Sequence, residues 1–238
     1  MQNFTPQLHN DKELLRKLLK RYRNDALHSK GLFHGLQKDL IQNCVGGKIS
    51  PRFTNWKVVF ELIKIAGNYA LSVTDEGTTG LMGGMYKNHE VGKISERGEL
   101  DERHGLSRFI HQNFSGENTG PGSEGQGKGL FHLLSEDYNV VFDSLRDEGK
   151  ENESYVAGQK IMKGNVLKNN LCYPETGIVP NREENEKLFV SLTNNQLAPL
   201  SRQGTRVIIM NIGINDVVKD VYEDGVNNEG FVENGGAS

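Results

Sequence analysis

Four groups of residues in this chain are of types that handle phosphates, metal ions and purine rings. The first is Asp39-Leu-Ile-Gln-Asn43. On a helix, residues four apart share a face, so this carboxylate and carboxamide point the same way. A carboxamide oxygen is a hard ligand suited to Mg²⁺, which prefers oxygen and keeps several of its waters. A carboxylate one turn away can orient, or take a proton from, a water attacking a phosphate. The second group is Asp75-Glu-Gly77-Thr-Thr-Gly80. An Asp carboxylate accepts hydrogen bonds of the kind adenine's exocyclic amino group donates, and glycines let the backbone approach a flat ring closely. The third is Gly120-Pro-Gly122-Ser-Glu-Gly125-Gln126-Gly127-Lys128-Gly129, which runs directly into the apolar segment Leu130-Phe-His-Leu-Leu134. Unpaired N–H groups at a helix start, with the positive end of its dipole, form a phosphate site, and Lys128 adds a cation. The fourth is Gly204-Thr205, just before the apolar run Arg206-Val-Ile-Ile-Met-Asn-Ile212. A Thr hydroxyl here supports a base-reading Asp, directly or through water.

Each group alone has an ordinary explanation: a surface helix, a turn, a linker, a common dipeptide. Their order along the chain carries more weight than any one of them. A Walker A loop is the main rival, because Gly122-Ser-Glu-Gly-Gln-Gly127-Lys128 fits its start. That motif needs Ser or Thr next, to hold Mg²⁺, and an apolar strand before it. Here Gly129 follows, and the preceding residues, Asn113 to Pro121, have the composition of a loop.

The elements that must position these groups follow from periodicity. Residues 11–28 and 31–46 have leucines at helical spacing, and Gly46-Gly47 ends the second helix. Trp56, Val58, Phe60 and Leu62 alternate with other residues, which predicts a strand. Ala66-Gly67-Asn68 is a turn signal, and Tyr69 to Thr74 reads as the returning strand of a hairpin. Residues 81–129 are polar and glycine-rich around one helix near 99–112, and a loop this long inside a compact domain is usually functional or mobile. Further strands are expected at Val140–Phe142, Tyr155–Ala157 and Arg206–Ile212, with 165–203 irregular. The domain is expected over 1–224, with a tail or linker at 225–238 rich in Gly and Asn.

Composition narrows the classes. The 238 residues carry a net charge of −3, with 25% charged and 35% hydrophobic residues, so the surface as a whole is not built to bind polyanions. The basic stretch Lys12 to Arg23 reads as the solvated face of an amphipathic helix. Two cysteines, Cys44 and Cys172, lie far apart without metal-type spacing. No apolar run reaches membrane-spanning length, and no signal peptide is seen, so a cytoplasmic setting is the expectation.

Taken in order, the four groups resemble the GHKL, or Bergerat-fold, ATPase superfamily, which includes DNA gyrase, MutL-type repair proteins, heat-shock ninety-type chaperones, MORC proteins and sensor histidine kinases. The family pattern is a helix with ExxxNxxDA, a strand ending in DxGxG, a glycine-rich lid, then GT before a late strand. The corresponding segments are DLIQNCVGG, DEGTTGL, GSEGQGKG and GTRVII. The resemblance implies an α/β (α+β) two-layer sandwich, with a mixed, mainly antiparallel sheet and helices on one face. It implies that Asn43 ligates Mg²⁺ and that Asp75 accepts from the adenine amino group with Thr205 behind it. Gly77 and Gly80 would then shape the base pocket. Gly125, Gln126, Gly127 and Gly129 would wrap the phosphates, and Lys128 would pair with them. Asp39 stands where hydrolysing members carry Glu. Three departures are present: Asp39 is a methylene shorter, Gly46-Gly47 replaces Asp-Ala, and DEGTTG has one extra residue between its glycines.

The implied function is Mg²⁺-dependent ATP binding with slow hydrolysis, driving lid closure and a conformational or dimerisation change in a larger machine. The alternatives are a nucleotide-gated module without hydrolysis and histidine-kinase-type phosphoryl transfer. Expected partners are ATP and ADP, with a homodimer or partner domain possible in kind. Nucleic acid would enter only through the wider system, and a membrane not at all.

Overall fold

The computed structural model describes residues 56–83, 105–111, 131–132, 134–146, 154–163, 166–171 and 181–213. The helices expected at 11–28 and 31–46 and the tail at 225–238 lie outside these residues. The described part is α+β. Strands β1 (Lys57–Ile65), β2 (Asn68–Glu76), β3 (Asn139–Leu145), β4 (Tyr155–Lys163), β5 (Val166–Leu171) and β6 (Gly204–Ile209) form a six-stranded sheet in the order β1-β2-β6-β3-β4-β5. Helices α1 (Gly105–His111) and α2 (Arg182–Leu192) flank it. Every strand pairing is antiparallel, so among the described residues the sheet is antiparallel throughout and not mixed.

The hairpin expected from period-two patterning is present. Its turn places Ala66 at φ 50° and Gly67 at φ 85°. Positive φ at both central residues marks a primed turn, whose twist matches that of the flanking strands. The register runs without a bulge from Ile65↔Asn68 to Lys57↔Glu76. Strand β6 lies between β2 and β3, which is why Val207, Ile208 and Ile209 form a continuous apolar run: each is buried on one face or the other.

Helices lie on both faces of the sheet, not on one. Leu71, Val73, Val140, Phe142, Val156, Val207 and Ile209 face α1, whose Leu106, Phe109 and Ile110 pack on them together with Phe131 and Leu134. The alternate residues, Ala70, Val141, Tyr155, Ala157 and Ile208, face Phe189 of α2 and Leu200. The physical reason is in the strands themselves. In β3 and β6 both parities are apolar, so each face needs its own cover.

The segment 165–203 is not irregular. It contains β5 and α2. The start of α2 is a capped one: the Asn181 side chain accepts from the Glu183 N–H at 2.9 Å, and Glu183 and Glu184 lie in the first turn, where the helix dipole favours negative charge. The helix buries only Asn185, Leu188 and Phe189, too narrow a stripe to show clearly as periodicity.

A buried ion pair joins the α2 face. Asp143, fully buried, receives both Nε and an Nη of Arg206 at 2.8 Å each. Its Oδ2 also accepts from the Tyr155 hydroxyl at 2.9 Å and from the Leu200 N–H at 3.0 Å. Arg206 also donates to the Ala198 carbonyl at 2.7 Å and lies 4.6 Å over the Phe189 ring. Burial pushes the Asp143 carboxyl up from its ordinary range, while Arg206, Leu200 and Tyr155 pull it down. Tyr155 is pushed up as well, first by burial and then by the Asp143 charge. On the α1 face, His132 is buried, and its Nδ1 lies 3.0 Å from the Tyr138 carbonyl. A carbonyl only accepts, so Nδ1 carries the hydrogen. Burial, then the nearby charge of Lys160, lowers the His132 pKa to about 3. Lys160 itself donates to the Phe109 carbonyl at 3.0 Å in the last turn of α1.

Two outcomes follow. Arg206→Leu leaves the Asp143 carboxylate buried without its cation, so urea unfolding is expected to show a loss of about 3–5 kcal/mol; a loss below about 1 kcal/mol means the pair is dispensable. His132 is neutral when folded and binds a proton near pH 6.5 when unfolded. Its contribution is therefore complete above that pH and declines as pH falls towards about 3. Between pH 7 and pH 5 the native chain is expected to lose about 2 kcal/mol more than His132→Asn does. Parallel stability curves for the two proteins would show that His132 does not titrate on unfolding.

Candidate functional site

Side chains alternate along each strand, and three polar ones come into line at the sheet end where β2 finishes. Asp75 of β2 is paired with Thr205 of β6, and Thr205 with Ser144 of β3. Val73, Val207 and Phe142, two residues back on the same strands, all belong to the α1-facing core. The row Asp75–Thr205–Ser144 therefore lies on the α1 side as the polar continuation of that core. Glu76 points the other way, towards Lys57 Nζ at 3.1 Å and Arg202 Nη1 at 3.3 Å on the exposed rim. Of the two adjacent acids, only Asp75 belongs to the row.

The contacts within the row are specific. Asp75 Oδ1 accepts the Thr205 backbone N–H at 3.0 Å and the hydroxyl of Thr78. The Ser144 hydroxyl, fully buried, donates to the Gly204 carbonyl at 2.8 Å and accepts the Leu81 N–H at 2.8 Å. It lies 3.1 Å from the Thr205 hydroxyl.

The turn after β2 is tied down from several sides. The Gly77 N–H donates to the Gln203 carbonyl at 2.9 Å, and the Leu106 N–H at the start of α1 donates to the Met82 carbonyl at 2.9 Å. Arg146, buried at the end of β3, donates from Nη1 to the Gly83 carbonyl at 2.5 Å. Two glycines are required by this packing. Gly80 has φ 72°, and a Cβ there would come within 2.7 Å of the Leu145 carbonyl and 2.8 Å of Ser144 Oγ. Gly204 has φ 151°, and its Cβ would fall 1.9 Å from the Asp75 carbonyl oxygen. Glycine at position 204 is what lets β6 approach β2 closely enough for Thr205 to reach Asp75.

Of the residues singled out from sequence, the structure brings Asp75, Gly77, Gly80 and Thr205 to one end of the sheet. Asp39, Asn43, Gly125, Gln126, Gly127, Lys128 and Gly129 lie outside the described residues. Sequence reasoning missed Thr78, Ser144 and Arg146. Thr78 was hidden inside a turn motif read only for its Asp and its glycines. Ser144 had a visible signal, because it continues the Val140, Phe142 parity at the end of an apolar strand. Arg146 had none, since a buried arginine cannot be told from a surface one without the backbone it serves.

The arrangement can hold a flat, hydrogen-bonding ring edge: a fixed carboxylate, a hydroxyl beside it, and a turn tethered to three neighbouring segments. Among the described residues, no three His, Cys, Asp or Glu side chains gather as a metal site. No described helix is long and apolar enough to cross a membrane. Neither a protein-family model nor a curated protein matches this sequence, so its functional reading rests on the chemistry of these residues and the order of their motifs.

Proposed function

We propose that this chain binds ATP with Mg²⁺ and hydrolyses it slowly, as the nucleotide-binding module of a GHKL-type ATPase. The observation that supports this most is the fixing of Asp75. Its carboxylate is held at the end of β2 by the Thr205 N–H and the Thr78 hydroxyl, in line with two further hydroxyls. A carboxylate preorganised in this way accepts from an exocyclic amino group without paying to order itself at the moment of binding. The rest of the assignment comes from the sequence motifs. Gly77 and Gly80 border the base. Gly125, Gln126, Gly127 and Gly129 enclose the phosphates, with Lys128 as their cation. Asn43 would hold Mg²⁺, which would supply charge neutralisation at the phosphates. Asp39 takes a proton from the water that attacks the terminal phosphorus, and ADP leaves.

A second reading, a nucleotide-gated module without turnover, is favoured by Gly46-Gly47. That pair removes the acidic position that the family carries after its Asn. ATP-linked dimerisation or docking of a partner domain belongs to either reading.

Asp75→Asn preserves shape and one acceptor oxygen but removes the charge. Calorimetric titration with Mg-ATP is expected to give a Kd at least about tenfold weaker than for the native chain, and an unchanged Kd in the folded variant sinks the adenine-site assignment. Asp39→Ala separates the two readings. Phosphate release that disappears in this variant, with the ATP-dependent rise in melting temperature retained, supports hydrolysis. Absence of phosphate release from the native chain at every protein concentration removes the hydrolytic reading.

A further inference from the structure

We propose that Ser144 is a positioning residue that sets the hydrogen-bond polarity of the base pocket. By capturing the Thr205 hydroxyl hydrogen it makes the row acceptor-only, so the pocket selects a purine bearing a 6-amino group over its 6-oxo counterpart. This rests on the nucleotide-binding reading above and adds to it a residue and a mechanism of selection.

The inference comes from counting hydrogens. A hydroxyl has one hydrogen to donate and two lone pairs to accept with. Ser144 spends its hydrogen on the Gly204 carbonyl at 2.8 Å and one lone pair on the Leu81 N–H at 2.8 Å. Only a lone pair remains towards Thr205 Oγ1, 3.1 Å away, so the hydrogen between the two hydroxyls belongs to Thr205. The carbonyl is the nearer of Ser144's two acceptors and the stronger one, which fixes this direction. Thr205 therefore turns only lone pairs away from Ser144. The nearby hydroxyls are committed in the same way: Thr78 donates to Asp75 Oδ1, and Thr79 donates to the Gly80 carbonyl at 3.3 Å. None of these four hydroxyl hydrogens is left for a ligand. The Asp75 carboxylate has none to give.

An acceptor-only wall welcomes an amino group, or a water that donates to the wall and then to a ring nitrogen. It repels a carbonyl oxygen, which would be desolvated against lone pairs. Sites built around such polarity discriminate far better than apolar ones. Removing the Ser144 hydroxyl frees the Thr205 hydroxyl to rotate and donate to a 6-oxo group.

The test measures Kd for Mg-ATP and Mg-ITP by calorimetry on the native chain, Ser144→Ala, Thr205→Val and the double variant. The native chain is expected to bind ITP at least about tenfold more weakly than ATP, and Ser144→Ala to narrow that gap to about threefold or less. Thr205→Val keeps the backbone N–H to Asp75 and deletes the hydroxyl, so it narrows the gap too. Adding Ser144→Ala to it then changes the ratio no further, as required if Ser144 acts through Thr205. A merely structural Ser144 would weaken both nucleotides by the same factor and leave the ratio intact. That result overturns the proposal while ATP binding stands. If Ser144→Ala does not fold, Thr205→Val decides alone, and a native ATP/ITP ratio in it overturns the proposal. A native chain that binds neither nucleotide removes the nucleotide-binding reading and the proposal with it.

Discussion

The register of β6 between β2 and β3 is the constraint on which the rest depends. It sets Thr205 opposite both Asp75 and Ser144, and Arg206 opposite Asp143. Because side chains alternate, these two sets lie on opposite faces of the same three strands. The hydroxyl row faces α1, and the ion pair faces α2. A slip of one residue would carry Arg206 to the side of Asp75 and Thr205 to the side of Phe189, leaving a buried cation and a buried carboxylate each without its designed partner. Such a slip costs several kcal/mol for each stranded charge. The ion pair, whatever it adds to net stability, therefore acts as a register pin, and the polar row one residue away is its beneficiary.

Both faces being apolar has a second consequence. A sheet covered on one side presents its other side to water and can bend with little cost. Here α1 with Phe131 and Leu134 packs on one face, and α2 with Leu200 packs on the other. The strand ends carrying Asp75, Thr205 and Ser144 thus project from a doubly packed slab. Phe109 and Phe142 meet edge to face at 4.8 Å in that slab, directly below the row. Groups held on so rigid a base keep their spacing before any ligand arrives, and preorganisation of this kind is what turns a hydrogen bond into specificity.

Much of this was legible in the sequence, and what was not has a physical cause. The hairpin could be read because Val58 and Phe60 share one parity and Ala66-Gly67 supplies the turn. Strand β6 could be read as a buried-type strand from its apolar run, but its place between β2 and β3 could not. The Asp75 and Gly204-Thr205 motifs were visible as types, but their meaning is relational. Gly204 matters only because the Asp75 backbone lies where its side chain would be. Helix α2 was missed because its cap is a single Asn and its buried stripe is short. Cover on both faces was not legible: the resemblance implies helices on one face, and the two apolar parities of β3 show their meaning only once the packing on each side is known. Ser144 continues the parity of Val140 and Phe142 and could have been placed on that face, but its role declares itself only through partners on other segments.

The hardest requirement at such a site is to keep two polar neighbours from satisfying each other. A threonine hydroxyl beside a carboxylate ordinarily donates to it, and a pair closed in that way has little left for a ligand. Here Thr205 donates its backbone N–H to the Asp75 carboxylate, while in the proposed arrangement Ser144 on the far side draws the hydroxyl hydrogen the opposite way. The backbone bond fixes the distance between the two groups, and the hydroxyl bond fixes which atoms face outward. One strand thereby uses its main chain for position and its side chain for polarity. That division is possible only because β6 has a polar partner on each side, with Asp75 on β2 and Ser144 on β3. At an edge strand the Thr205 hydroxyl would have no second neighbour to turn to, and it would close on the carboxylate.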